Sequence, residues 1–83
     1  MVKQISLTHL KRGQSGRVIQ ITGGFGMTRR LSAIGVRSGK RITKISAMFM
    51  RGPVNVRVGR SEIAIGFGMA SRIMVEVEEK VGK

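Results

Sequence analysis

Few residues of this chain could carry reaction chemistry. His9 is the only histidine, the side-chain carboxylates are Glu62, Glu76, Glu78 and Glu79, and Cys, Asp, Trp and Tyr are absent. A catalytic dyad, a His-based triad or a two-metal centre needs more parts than these. Without cysteine there is no disulfide framework and no thiolate metal site. His9 has no second His and no Cys beside it, so it reads as an exposed or capping residue. Met48-Phe49-Met50 offers two thioethers, which are soft ligands suited to copper(I). Three apolar residues in a row cannot all face inward on one strand, however. A partner-contact loop running into Arg51 explains them better, and a plain strand end better still. The ligand count thus predicts no catalytic residue, no cofactor and no metal site, with weak transition-metal binding at most. An intermolecular site in a homo-oligomer stays open.

Recognition is the remaining chemistry. Gly23-Gly24-Phe25-Gly26 leads toward Arg29 and Arg30. It lacks the Gly-Lys-Ser/Thr of a phosphate loop and the third Gly of a dinucleotide fingerprint. The same pattern recurs 42 residues on: Ile21 to Leu31 aligns with Ile63 to Ile73, each holding Gly-Phe-Gly-Met and then Arg30 or Arg72 before an aliphatic residue. Two similar barrel corners, with Phe and Met plugging the ends, are one reading. Two exposed Phe-Met lips forming a docking surface are the other. For Phe25 the readings stay open: a plug, or an aromatic flanked by two guanidiniums.

The elements that must position these residues read as a small all-β domain. Twelve glycines fall mostly between short apolar runs. Ser6 caps one helical turn that ends before Gly13. Strands are predicted at Arg17–Ile21, Arg41–Met48 and Ile73–Val77, the last with Ile73, Val75 and Val77 inward. Met27, Leu31 and Ile34 at i, i+4 and i+7 predict one buried stripe on a helix over 27–34, stopped by Gly35. Gly59-Arg60 fits a two-residue turn with Gly first. That turn pairs Val58 with Ser61, Arg57 with Glu62, Val56 with Ile63 and Val54 with Ile65. One face becomes Val/Ile throughout and the other gains an opposite-charge pair. Five short strands in so short a chain are expected to close into a small barrel.

The chain has 83 residues, one domain over 1–83 with a thin core. Sixteen Lys/Arg against four Glu give a net charge of +12. All four carboxylates lie at or after residue 62, whereas thirteen of the cations precede it. Such a field implies an anionic partner: nucleic acid, an anionic membrane face or an acidic protein surface. Sequence-independent nucleic-acid barrels add stacking aromatics, and only Phe25, Phe49 and Phe67 are available. A non-specific nucleic-acid-binding small barrel is therefore the alternative reading, without a motif behind it. No apolar stretch approaches a membrane span and the first residues lack a signal-peptide core. A cytoplasmic, soluble protein is the expectation.

The ordered set Leu7-x-x-Leu10-x-x-Gly13-x-x-Gly16-x-Val18, Ile21-x-Gly23-Gly24 and Arg30-Leu31-x-x-Ile34-Gly35-Val36-x-x-Gly39 resembles the FeoA family. The likeness continues through Gly52-Pro53-Val54-x-Val56-x-Val58-Gly59, Glu62-Ile63-Ala64-Ile65 and Ala70-x-x-Ile73-x-Val75. The resemblance implies a five-stranded SH3-like barrel with one short helix. It implies a small, non-enzymatic cytoplasmic accessory protein of ferrous iron uptake. Such a protein works beside FeoB, a membrane transporter with a cytoplasmic GTPase domain, and is peripheral to the membrane through that partner. The same barrel is appended to iron-dependent repressors, which gives the family its transition-metal labels. The docking residues expected here are Phe25, Arg29, Arg30, Met48, Phe49, Met50 and Arg51. No specific nucleic acid is expected.

Overall fold

Short β-branched runs punctuated by glycine favour strands joined by tight bends. The computed structural model describes residues 2–47 and 52–78. Its elements run β1 (Val2–Ser6), a 3-10 turn (Leu7–His9), β2 (Ser15–Ile21), α1 (Phe25–Ala33), β3 (Arg41–Ala47), β4 (Val54–Val58), β5 (Ser61–Ile65), α2 (Phe67–Ala70) and β6 (Ile73–Glu78). The strands form one antiparallel sheet in the order β1-β6-β2-β3-β4-β5.

The β4–β5 hairpin has the register that its alternation predicts. Val54 faces Ile65, Val56 faces Ile63, Arg57 faces Glu62 and Val58 faces Ser61. Val54, Val56, Val58 and Ile65 are buried and Ile63 is half-buried. On the solvent face Arg57 Nη2 donates to Glu62 Oε2 at 2.7 Å. In β6, Ile73, Val75 and Val77 point inward as expected.

Three expectations change. A sixth strand, β1, precedes the five. It alternates poorly because it is an edge strand held by its backbone ladder to β6, and Val2 stays 58% exposed. The two edges, β1 and β5, do not pair with each other. The sheet is therefore open and barrel-like, and the short helix α2 joins α1.

The 3-10 turn is capped as expected, with the Ser6 hydroxyl accepting from the Thr8 amide at 3.3 Å. Lys44 Nζ donates to the Thr8 and Leu10 carbonyls at 3.2 and 2.8 Å, which satisfies acceptors that the short turn leaves over.

Helix α1 starts two residues earlier than expected, at Phe25, and its buried stripe differs. Leu31 is fully buried and Met27 half-buried, but Ile34 is 44% exposed. Ile34 is the C-cap, so its side chain has left the helical rotation. Gly35 then takes φ +94, a left-handed conformation that glycine adopts without Cβ strain. Its amide bonds the Ser32 carbonyl, and the Val36 amide reaches back to the Leu31 carbonyl at 2.9 Å. This is a Schellman closure. It puts Val36, not Ile34, into the core beside Leu31. The core is aliphatic throughout, and no polar residue among the described ones is buried.

Candidate docking site

The site is built by the pairing of β2 with β6. Ile21, the last residue of β2, faces Ile73, the first of β6. The Thr22 amide continues the ladder to the Arg72 carbonyl at 2.9 Å. The chain leaves β2 into Gly23-Gly24-Phe25 and enters β6 from Met69-Ala70-Ser71-Arg72. Both copies of the Gly-Phe-Gly-Met pattern thus lie at one end of the sheet, and both open a helix. Gly24 is the N-cap of α1 and Gly66 the N-cap of α2.

The two copies divide the roles that the sequence left open. Met27 and Met69 pack against the core, so the thioethers do the plugging. Phe67 is half-buried. Phe25 is 77% exposed and is not a plug. The Arg29 guanidinium lies 5.6 Å from the Phe25 ring centroid, one helical turn on. At that range a guanidinium is attracted to the ring face. Arg29 and Arg30 are both exposed, as expected from their places beside the Leu31 stripe.

A third arginine joins them. A Cβ built on Gly23 would lie 3.8 Å from Arg72 Nη1 and 2.9 Å from Met27 Sδ. Glycine at this bend therefore leaves room for the Met27 thioether, and the Arg72 guanidinium lies within ordinary contact of the same point. Sequence reasoning did not choose Arg72 for the site. The signal was present, since Arg72 is the counterpart of Arg30 in the 42-residue repeat.

The remaining candidates fall elsewhere. Met48, Phe49, Met50 and Arg51 lie outside the described residues. His9 is exposed and lines a groove of about 500 Å³ with Lys3, Lys11, Gln14 and Glu78 among its walls. Among the described residues no three His, Cys, Asp or Glu side chains gather where a metal could sit. Nor is any helix among them long and apolar enough to cross a membrane.

The fold and its sequence have counterparts among known proteins. A relative from Methanocaldococcus jannaschii, provisionally named Fe(2+) transport protein A, is 36% identical over 77 residues, 93% of this chain and 92% of its own length. The crystal structure of an iron uptake regulatory protein, FeoA, superposes with a TM-score of 0.79 at 33% identity, covering 88% of this chain and 95% of that one. The zinc complex of Stenotrophomonas maltophilia FeoA, described as an SH3 domain protein, has a TM-score of 0.72 at 23% identity, covering 86% and 88% of the two chains. The SH3-like fold expected from the sequence is thus shared with solved structures. The family model described as FeoA domain matches residues 5–77, which takes in both glycine-rich corners and all the strands except the first part of β1 and the last residue of β6: the chain belongs to the FeoA family, whose association is with ferrous iron transport.

Proposed function

We propose that this chain is a non-enzymatic accessory protein of ferrous iron uptake. It docks on the cytoplasmic domain of an FeoB-type membrane transporter. It works in the cytoplasm and reaches the membrane only through that partner. Iron is the transporter's cargo, and this chain needs no cofactor of its own.

The observation that carries the reading is the exposure of Phe25 under the Arg29 guanidinium. An aromatic ring left in water by a chain with only three Phe, no Trp and no Tyr is not needed for the core. Interfaces use such side chains: aromatics and Arg carry a large share of binding energy. Arg30 adds a second cation on the same helix, suiting a partner that is acidic and partly apolar.

Changing Arg29 and Arg30 together to Glu tests the reading. Both side chains are exposed on α1, so the variant is expected to keep its circular dichroism spectrum. It is expected to lose the transporter's cytoplasmic domain in a pull-down and to fail to support iron uptake. A folded variant with undiminished binding overturns this docking site and moves it to the Met48–Arg51 segment.

A further inference from the structure

Resting on the docking reading above, we propose that the second glycine-rich corner completes the site through Arg72. The partner then presents a short acidic segment, one large apolar side chain flanked by carboxylates.

Four observations converge. The β2–β6 pairing brings the two corners together, with the Thr22 amide bonded to the Arg72 carbonyl at 2.9 Å. The Arg72 guanidinium reaches over Gly23, two residues before Phe25. Phe25 is exposed and Arg29 stands over its ring. Among the described residues, no carboxylate is placed to neutralise the cluster. Glu62 is held by Arg57 at 2.7 Å and Glu76 by Arg17 at 3.0 Å. Glu78 sits at the far end of β6, about 20 Å along the strand from Arg72 at roughly 3.3 Å per residue.

Arg29 over the ring, Arg30 on the same helix and Arg72 beside the Gly23 bend gather three guanidiniums at this end of the sheet. Each presents a planar fork of donors matched to a carboxylate. An apolar side chain lying on Phe25 shields those charge pairs from water and strengthens them. Gly23, at φ +138, allows the bend that brings Arg72 beside it, and a Cβ there would meet the Met27 thioether at 2.9 Å.

The test measures the affinity of the transporter's cytoplasmic domain for the full chain, Arg72→Glu, Arg72→Gln and the Arg29/Arg30→Glu double variant. Arg72→Glu is expected to weaken binding at least tenfold, with Arg72→Gln between it and the unaltered chain. Binding by folded Arg72→Glu within twofold of the unaltered chain, while the double variant loses it, leaves the docking reading standing and overturns this one. If the unaltered chain does not bind that domain, the docking reading itself fails. The corner is then judged by amide shifts with a synthetic peptide of alternating Glu and Leu. Coincident shifts at Gly23, Phe25 and Arg72 uphold the acidic-segment site. No shift, or shifts with poly-uridine or phosphatidylglycerol vesicles alone, overturn it.

Discussion

Phe25 and Leu31 are two helical residues with opposite duties. Leu31 is fully buried among the aliphatic core, and Phe25 is 77% exposed on the same helix. Truncating a buried Leu removes its transfer free energy and leaves a cavity, so Leu31→Ala is expected to cost about 2–5 kcal/mol in urea unfolding. Phe25→Ala removes little from the core and is expected to change stability by no more than about 0.5 kcal/mol. If Phe25 is an interface anchor, the same change weakens partner binding by about tenfold or more, near 1.4 kcal/mol. A Phe25→Ala protein as destabilised as Leu31→Ala removes the basis for an exposed role. His9 offers a parallel case for metal. It shares its groove with Lys3 and Lys11, whose positive charges disfavour a cation there, and with a single carboxylate, Glu78. Calorimetry of the monomer with iron(II) or zinc(II) is expected to show no sub-micromolar one-to-one site. If one appears, it overturns this ligand count, and His9→Ala would then identify the anchor by abolishing it.

Helix α1 is as much a product of its stop signal as of its stripe. Gly35 at φ +94 closes the helix and delivers Val36 to the core. A Cβ at that φ is strained, so Gly35→Ala is expected to destabilise by about 1–2 kcal/mol in the same unfolding assay. A neutral result would mean that the helix end relaxes without the left-handed residue. The stop was legible in the sequence, but its consequence was not. A spacing of i, i+4, i+7 assumes a helix that continues, and Ile34 is where the rotation breaks. The β4–β5 hairpin was legible to the residue, because its turn, its alternation and the Arg57–Glu62 pair all specify one register. Strand β1 was not, because an edge strand is held by its ladder to a distant segment and shows little alternation of its own. The site shows the same division. The repeat containing Phe25, Arg30 and Arg72 is visible in the sequence. That its two halves meet depends on pairing β2 with β6 across some fifty residues, a nonlocal fact that local patterns do not encode.

Net charge is a property of the whole molecule, and it makes a prediction independent of any one site. The chain carries +12, and among the described residues Glu76 and Glu62 are already engaged by Arg17 and Arg57. Any nucleic acid that meets this surface releases condensed counterions, whatever the protein evolved to bind. Binding to a short single-stranded oligonucleotide is therefore expected at about 50 mM salt, with log affinity falling linearly in log salt. At about 150 mM it should weaken into the micromolar range or beyond that marks non-specific contacts. No preference among sequences is expected, since phosphate contacts carry no base information. Phe25 sharpens the test, because an exposed ring beside arginines is also what a base-stacking surface needs. If stacking were its role, Phe25→Ala would reduce oligonucleotide affinity at every salt concentration and leave the salt slope unchanged. Fluorescence anisotropy across a salt series reads both quantities. Nanomolar affinity persisting at about 150 mM and lost with Phe25 would exceed ordinary non-specific binding. That result would replace the docking protein with a nucleic-acid-binding barrel. Loss of binding with salt alone, the same with or without Phe25, is the outcome expected here.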